Sequence, residues 1–597
     1  MTYQPQYRNL LQVFSQSVEQ HGPRKLFGTR KPDGWHWTTF TEFAELVAAA
    51  RSGLYARGVR AGDRVAVISN NRLEWATAAY GAYSLGAIYV PMYEAQLDKD
   101  WHHILQDCGA KLCFVSDAKI EKRIAGMRTQ LPDLQNVIAF DGPGWNMLLD
   151  TGRQQPVAPH APKDEDCAMF IYTSGTTGTP KGVRLSHYNL ASNVAAALDI
   201  APLLPDETSV AFLPWAHVFG GCLELNALMA HGDAIAICEN TDRLIEYLSE
   251  VKPTCLFAVP RIWNRIYDGV NKQIAERPGP IQALFHAGMQ YKSKQKRGQK
   301  LGLGETLVLA IADKILFAKV RGRFGGRLRF AFSGAAALAP EVAEFIDNLG
   351  IVVYEGYGLT ETSGVVTANG THGRRPGSVG RVVPGFEIKL DRDAVGATDG
   401  EGEIVIHGSG VMQSYHNQAA ETEHAFTNDR GLRTGDLGRI DADGFLFITG
   451  RVKELYKLSN GKYVAPVPLE EKLQLSPFIA QAFVFGTDRP HNTAVLIADM
   501  PTLEKWAGEQ GMDKQPDKLL ADPRTRALFR KEIDAHSREW KGYEQIREFV
   551  LDADAFTTVN DMLTPTFKIK RRNVTLKYQG ELDALYASGA RARAAVG

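Results

Sequence analysis

Tyr172-Thr-Ser-Gly-Thr-Thr-Gly-Thr-Pro-Lys-Gly182 sets how the rest of the chain is read. Gly175, Gly178 and Gly182 let backbone N–H groups come close to a phosphate. Thr173, Ser174, Thr176 and Thr177 add hydroxyl donors, and Lys181 adds a mobile positive charge. The P-loop of nucleotide triphosphatases needs four residues between its glycines and Ser or Thr directly after its lysine; here Gly182 follows Lys181. The alternative is a polar surface turn, and the length of the string weighs against it. Upstream, residues 168–172 are a short apolar run, which reads as a buried strand delivering the chain into this loop. The same pattern recurs on both sides. Phe43, Leu46, Val47, Ala50 and Leu54 stand at helical spacing with Gly58 as the stop, and residues 65–68 read as a strand. A helix follows over about 74–84, then strands at 87–90, ending at Pro91, and at 112–115. Further strand-like runs occupy 210–213, 234–238, 256–259, 328–332 and 351–354. Short buried strands separated by helices imply βαβ units and a parallel sheet covered on both faces. Ligands of such sheets bind at loops beyond the carboxyl ends of strands, so the Gly-, Ser- and Thr-rich loops are expected to face one site.

The chain has 597 residues, 44% hydrophobic and 23% charged, which excludes disorder, collagen and coiled coil as its main architecture. Lys+Arg and Asp+Glu are both 68, a zero balance that argues against a nucleic-acid partner held by overall charge. The six cysteines form no CxxC pair, which suits a reducing, cytoplasmic location and speaks against a zinc site or a disulfide frame. The N-terminal stretch has no basic segment followed by an apolar run, so no signal peptide is expected, and no apolar stretch is long enough for a transmembrane segment. Near residue 370 the composition becomes turn-dense, and a small β-rich region is expected up to about Gly450, with 441–444 as the turn of a hairpin. An α+β tail follows: a helix near Leu469, strands near Phe483 and Val495, and a charged helix from Pro523 to Trp540. The fold class expected is α/β: a large N-terminal domain, 1–450, of parallel-sheet βαβ layers plus the small β-rich subdomain, and a small mobile α+β domain, 451–597. The basic run 291–297 reads either as a solvated helix face or as a peripheral contact with anionic lipid.

The 172–182 string resembles the signature of the AMP-forming acyl-adenylate synthetase superfamily, which includes acyl-CoA synthetases, adenylation domains of peptide synthetases and beetle luciferases. Other segments are similar to that family's remaining motifs. In Tyr354-Glu-Gly-Tyr-Gly-Leu-Thr-Glu-Thr362 the resemblance implies nucleotide contacts from Glu355, Gly356 and Gly358, adenine stacking on Tyr357, an α-phosphate bond from Thr360, and Mg²⁺ held by Glu361 with Thr173 completing the metal site. Ser333-Gly-Ala-Ala336 would place Gly334, Ala335 and Ala336 against adenine. Asp436 and Arg451 would hold the ribose. In Lys453-Glu-Leu-Tyr-Lys-Leu-Ser-Asn-Gly461, Lys453 would be the hinge, with Lys457 in the same segment and Gly461 near the pantetheine tunnel. In Pro214-Trp-Ala-His-Val-Phe-Gly-Gly221, His217 would lie near the substrate carboxylate, and Gly220 and Gly221 would leave space for an acyl chain. In Leu563-Thr-Pro-Thr-Phe-Lys-Ile-Lys-Arg-Arg572, Lys568 matches the catalytic lysine, with Phe567 where many members have Gly.

The resemblance implies two steps: attack of a carboxylate on the α-phosphorus of ATP, then transfer of the acyl group to coenzyme A. Lys181, Lys568 and His217 would be the catalytic residues, with ATP, Mg²⁺ and coenzyme A required. The forms around Gly461 and Lys568 are similar to the long-chain fatty-acid–CoA ligase branch. The same chemistry could load a carrier protein, and a catalytically silent acyl or nucleotide sensor is a binding-class alternative.

Overall fold

The computed structural model describes residues 3–174, 180–394, 400–564 and 568–594. Gly175, Thr176, Thr177 and Gly178 therefore lie outside the described residues, as does the side chain of Ser174. The βαβ reading of the first half holds. Arg64–Ile68, Ile88–Met92, Leu112–Val115 and Asn136–Ala139 pair in parallel, and Cys167–Ser174 joins them beside Ile88–Met92. Pro180–Ser186 turns back antiparallel on Cys167–Ser174, and Ser414–Tyr415 closes that edge of a seven-stranded sheet. A second sheet carries Cys255–Ala258, Phe330–Ser333 and Val352–Tyr357 in parallel, then two short antiparallel strands, Thr367–Ala368 and Arg381–Val382.

Three boundaries differ from expectation. The strand placed at 87–90 runs through Pro91 to Met92, with Pro91 opposite Val67. Two strands, Lys25–Lys31 and Gly34–Thr39, form a hairpin whose half-exposed, Trp- and Lys-containing sequence gave no apolar run. The charged helix from Pro523 ends at His536, not Trp540.

Helix ends follow local chemistry. Thr39 and Glu42 make a capping box at Phe40–Ala56, and Ser186 and Asn189 make one at His187–Ile200. The expected hairpin turn at 441–444 is present: Asp441 accepts the Phe445 N–H at 2.9 Å through its carboxylate, and Gly444 has φ +84°.

The chain divides into two compact units. The first comprises 1–389, 405–434 and 440–447; the second comprises 390–404, 435–439 and 448–597. The second unit thus takes three segments, 390–404, 435–439 with Asp436, and 448–450, from the stretch that sequence alone assigns to 1–450. It is built on a three-stranded sheet, Ile479–Phe485, Asn492–Ala498 and Ile546–Asp552, with Leu469, Leu496, Phe529 and Phe549 in its core. No helix of the described residues is long and apolar enough to cross a membrane.

Candidate active site

The loops after the second sheet's parallel strands meet at a cleft in the first unit. It encloses about 740 Å³ of empty space, counted to its open mouth. Most of its lining is apolar, with Ala197, Ile200, Leu203, Leu223, Leu228 and Phe257 among it. The same lining includes His217, Ser333, Gly334, Ala335, Tyr357 and Gly358. His217, expected near the substrate carboxylate, and residues expected to touch adenine therefore line one cavity. Gly356 also lines it; Ala336 is exposed, Glu355 and Thr360 are buried, and none of these three is part of the lining.

The geometry here depends on close backbone approaches. A Cβ on Gly358 would meet the Gly364 carbonyl oxygen at 1.6 Å, so only glycine fits. Ala335 sits at φ +70°, a left-handed conformation that non-glycine residues adopt at a cost and that clusters at functional sites. Asn193, fully buried on the helix His187–Ile200, clamps the loop after Tyr357: it accepts the Val365 N–H at 3.1 Å and donates to the Val365 carbonyl at 2.8 Å. The Ser333 hydroxyl is 3% exposed and has no hydrogen-bond partner among the described residues. A buried hydroxyl left this way on a cleft wall is a ready contact for a ligand.

His217 is only partly buried. Its Nδ1 accepts the backbone N–H of Phe219 at 3.2 Å, so in the neutral ring the proton is on Nε2. That fixes the ring as a donor at Nε2. Gly220 and Gly221 do not serve the expected purpose. A Cβ at either would come within 2.5 Å of the Pro214 or Trp215 carbonyl oxygen, so the missing side chains let the helix seat against that loop rather than make room for an acyl chain. This helix, Phe219–Ala227, is a π-helix, a widened form frequent at functional sites, and it presents Phe219, Leu223 and Ala227 to the cleft.

Lys181 is buried on Pro180–Ser186, directly across from Thr173. Its Nζ is bonded to Glu421 and stands 5.7 Å from the centre of the Tyr415 ring. Tyr415 in turn donates its hydroxyl to Glu361 Oε1 at 2.8 Å. Burial, with Glu361 beside it, pushes the Tyr415 phenol well above its usual range, so it remains a donor at every physiological pH. One tyrosine thus links the lysine expected at the phosphates to the carboxylate expected at the metal. Sequence reading missed Tyr415, Glu421 and Asn193: the first two lie in Ser414-Tyr-His-Asn-Gln-Ala-Ala-Glu421, which has neither glycine-rich spacing nor clear periodicity. Among the described residues no group of three His, Cys, Asp or Glu side chains is placed to hold a metal. Mg²⁺ bound with phosphates needs only one or two protein carboxylates, and Glu361, oriented by Tyr415, fits that need.

Glu355 is 7% exposed and accepts the backbone N–H groups of Gly377 and Leu338. Burial outweighs these bonds and pushes its carboxyl up to about 7.

The remaining candidates lie in the second unit. Arg451 Nε donates to Asp436 Oδ1 at 2.6 Å, and Asp436 is 4% exposed. Lys453 and Lys457 are exposed, and Gly461, at φ +83°, turns the hairpin between Tyr456–Lys457 and Tyr463–Val464. The loop before Lys568 is closed by two bonds: the Thr564 N–H to the Lys568 carbonyl at 2.8 Å and the Lys568 N–H to Thr564 Oγ1 at 3.0 Å. The basic residues after it have different tasks. Lys570 bonds Asp561, and Arg571 grips the buried Glu470 at 2.8 and 3.0 Å. Lys568 is exposed. Phe567 lies outside the described residues.

Comparison with known proteins shows the family. A family model described as AMP-binding enzyme matches residues 14–416, and one described as AMP-binding enzyme C-terminal domain matches residues 454–590. The long-chain-fatty-acid–CoA ligase FadD15 of Mycobacterium bovis is 33% identical over 589 residues, covering 95% of this chain and 95% of that protein. Long chain acyl-CoA synthetase 7, peroxisomal, of Arabidopsis thaliana is 31% identical over 617 residues, covering 98% and 87%. The crystal structure of the adenylation domain of a carboxylate reductase from Mycobacterium chelonae superposes with a TM-score of 0.78 at 23% identity, covering 98% of this chain and 92% of that one, a likeness of fold. The chain belongs to the AMP-binding enzyme family, on its long-chain-fatty-acid–CoA ligase branch.

Proposed function

We propose that this protein activates a fatty acid with ATP to acyl-AMP and pyrophosphate, and then transfers the acyl group to coenzyme A, releasing AMP. The observation that carries the reading is a single, mostly apolar cleft whose lining joins Ile200, Leu203 and Leu228 to His217, Ser333 and Tyr357. An alkyl chain suits the first group, and a carboxylate joined to a nucleotide suits the second.

A fatty-acid carboxylate is ionised at neutral pH, so attack on the α-phosphorus needs no general base. The protein's task is to position two anions and offset their charge. Lys181 neutralises the outer phosphates, and Lys568 neutralises charge at the carboxylate and α-phosphate. Tyr357 stacks on adenine, Thr360 bonds the α-phosphate, and Gly334, Ala335 and Ala336 border the base. Asp436 accepts ribose hydroxyls while Arg451 holds one of its oxygens. Glu361 and Thr173 hold Mg²⁺, which supplies positive charge to the phosphates. Residues 451–597 are the mobile domain in this scheme, with Lys453 at the hinge and Lys457 and Gly461 serving the thioester step. His217 acts as a hydrogen-bond donor to the carboxylate rather than as a base for the thiol, since Nδ1 is already an acceptor.

The test is a panel of acids, from acetate through long-chain to aryl acids, assayed for AMP release with and without coenzyme A. Acceleration by free coenzyme A with long-chain acids supports the reading. Release that needs a carrier protein instead, or none with any acid, overturns it. Each methylene in an apolar pocket is worth about 1 kcal/mol, so rates should rise gradually along the series rather than step.

A further inference from the structure

The described residues include four large apolar side chains exposed on one helical run. Leu303 is 94% exposed, Leu307 62%, Ile311 40% and Ile315 48%. They recur every fourth residue along three continuous helical segments, Leu303–Ala312, Asp313–Phe317 and Ala318–Gly322. Side chains four apart share a helix face. The next steps of the same stripe are Lys319 and Arg323, both exposed. The opposite face is fixed in place. Phe317 packs edge-on against Phe285 at 5.7 Å, and Ala312 fills the space that a Cβ on Gly288 would need. The stripe therefore cannot turn inward.

Charge along this stretch of chain is mostly positive. Residues 291–327 contain ten Lys and Arg against two carboxylates, in a chain whose total is balanced. Both carboxylates are engaged: Glu305 by Lys294 and Asp313 by Arg321. Within 291–297, Lys294, Lys296 and Arg297 are paired with Glu305, Asp347 and Glu344, so the run singled out from sequence is mostly neutralised. Lys300, Lys314, Lys319 and Arg327 make no ion pair among the described residues.

We propose that the Leu303–Gly322 helix face docks on the surface of an anionic lipid bilayer. A helix with an apolar stripe and flanking lysines lies in the headgroup plane, apolar side chains inserted and ammonium groups raised to the phosphates. A second copy of this chain fits less well, because Lys314 lies between Ile311 and Ile315 and would be buried against an equally cationic face. Lipid docking would bring the protein to where fatty acids dissolve. It goes beyond the catalytic reading, and its test uses no catalysis.

The full chain is floated with phosphatidylcholine vesicles, and with vesicles in which phosphatidylglycerol replaces part of that lipid, without ATP or acid. Binding should require the anionic lipid, weaken with salt, and fall about tenfold or more in Leu307→Ser/Ile311→Ser and in Lys314→Glu/Lys319→Glu. All four positions are exposed, so melting temperatures should match the parent, and AMP release with a water-soluble acid should be retained. No flotation of the parent, or flotation of both variants equal to the parent's, would overturn the proposal. So would a concentration-dependent dimer that the same substitutions dissociate, which would assign the face to a second copy.

Discussion

Tyr415 carries more of the site than its place in the sequence suggests. It lies under Lys181 and donates to Glu361, so it positions the lysine proposed for the phosphates and the carboxylate proposed for the metal. Tyr415→Phe keeps the ring and removes that hydrogen bond. The fold should tolerate it within about 1 kcal/mol, while the Mg²⁺ requirement for pyrophosphate release rises about 10- to 100-fold. A magnesium titration checks this; an unchanged midpoint would show that Tyr415 does not orient the carboxylate. Lys568 is exposed and its backbone N–H bonds Thr564, and the following Lys570 and Arg571 make ion pairs. Lys568→Ala should cripple acyl-AMP formation far more than thioester formation from supplied acyl-AMP. Equal loss in the two half-reactions, measured separately, would remove Lys568 from the adenylation step. The sequence marked Lys181, Glu361 and Lys568 because their flanking residues form motifs. It could not mark Tyr415 or Asn193, whose roles arise only from what the fold sets beside them.

At the level of elements, the legible features were those with a local cause. Parallel strands are buried on both faces and read as short apolar runs, so nearly all of them stood out. The Lys25–Lys31 and Gly34–Thr39 hairpin did not, because a half-exposed strand carries Trp, His and Lys. The glycines of 220–221 were visible, but what they admit was not: a carbonyl packed against the helix looks the same in sequence as space for a ligand. Gly358 gives a direct check. Gly358→Ala places a Cβ against the Gly364 carbonyl and should cost about 3 kcal/mol with loss of nucleotide binding, seen together by thermal melting and nucleotide titration. In the second unit, Arg571 ties the start of the helix Arg571–Ala594 to Glu470 on the helix Pro466–Leu473. Arg571→Ala leaves a buried carboxylate uncompensated and should destabilise that unit by about 3–5 kcal/mol. Replacing both partners, Glu470→Gln with Arg571→Met, should cost much less; equal costs would mean that the pair is not what holds the helix.

Two buried groups of the first unit titrate in opposite senses across the physiological range. Glu355 is raised from 4.5 to about 7, so the folded state holds its proton more tightly than the unfolded state. The associated stability, about 3 kcal/mol, is full below pH 4.5 and is lost as pH rises to about 7. His187, fully buried beside Tyr83, is lowered from 6.5 to about 4 by desolvation, and its contribution is full above 6.5 and lost as pH falls toward 4. The two slopes oppose each other between 4.5 and 6.5. Glu355→Gln removes only the first, so its melting temperature relative to the parent should climb as pH rises from 4.5 to about 7 and then level off. A difference that stays flat across that window would show that the Glu355 carboxyl is not shifted.

The proposed function of the whole molecule is to join a carboxylate to the innermost phosphorus of ATP, and the fate of the nucleotide tests that most directly. Purified protein is given ATP, magnesium, a long-chain fatty acid and coenzyme A, and the nucleotide and thioester products are counted together. One AMP and one pyrophosphate for each acyl-CoA is the expected result. ADP and inorganic phosphate without AMP would contradict the account, because cleavage would then fall at the γ-phosphorus, where the proposed arrangement of Lys181, Lys568 and Thr360 has no nucleophile to place.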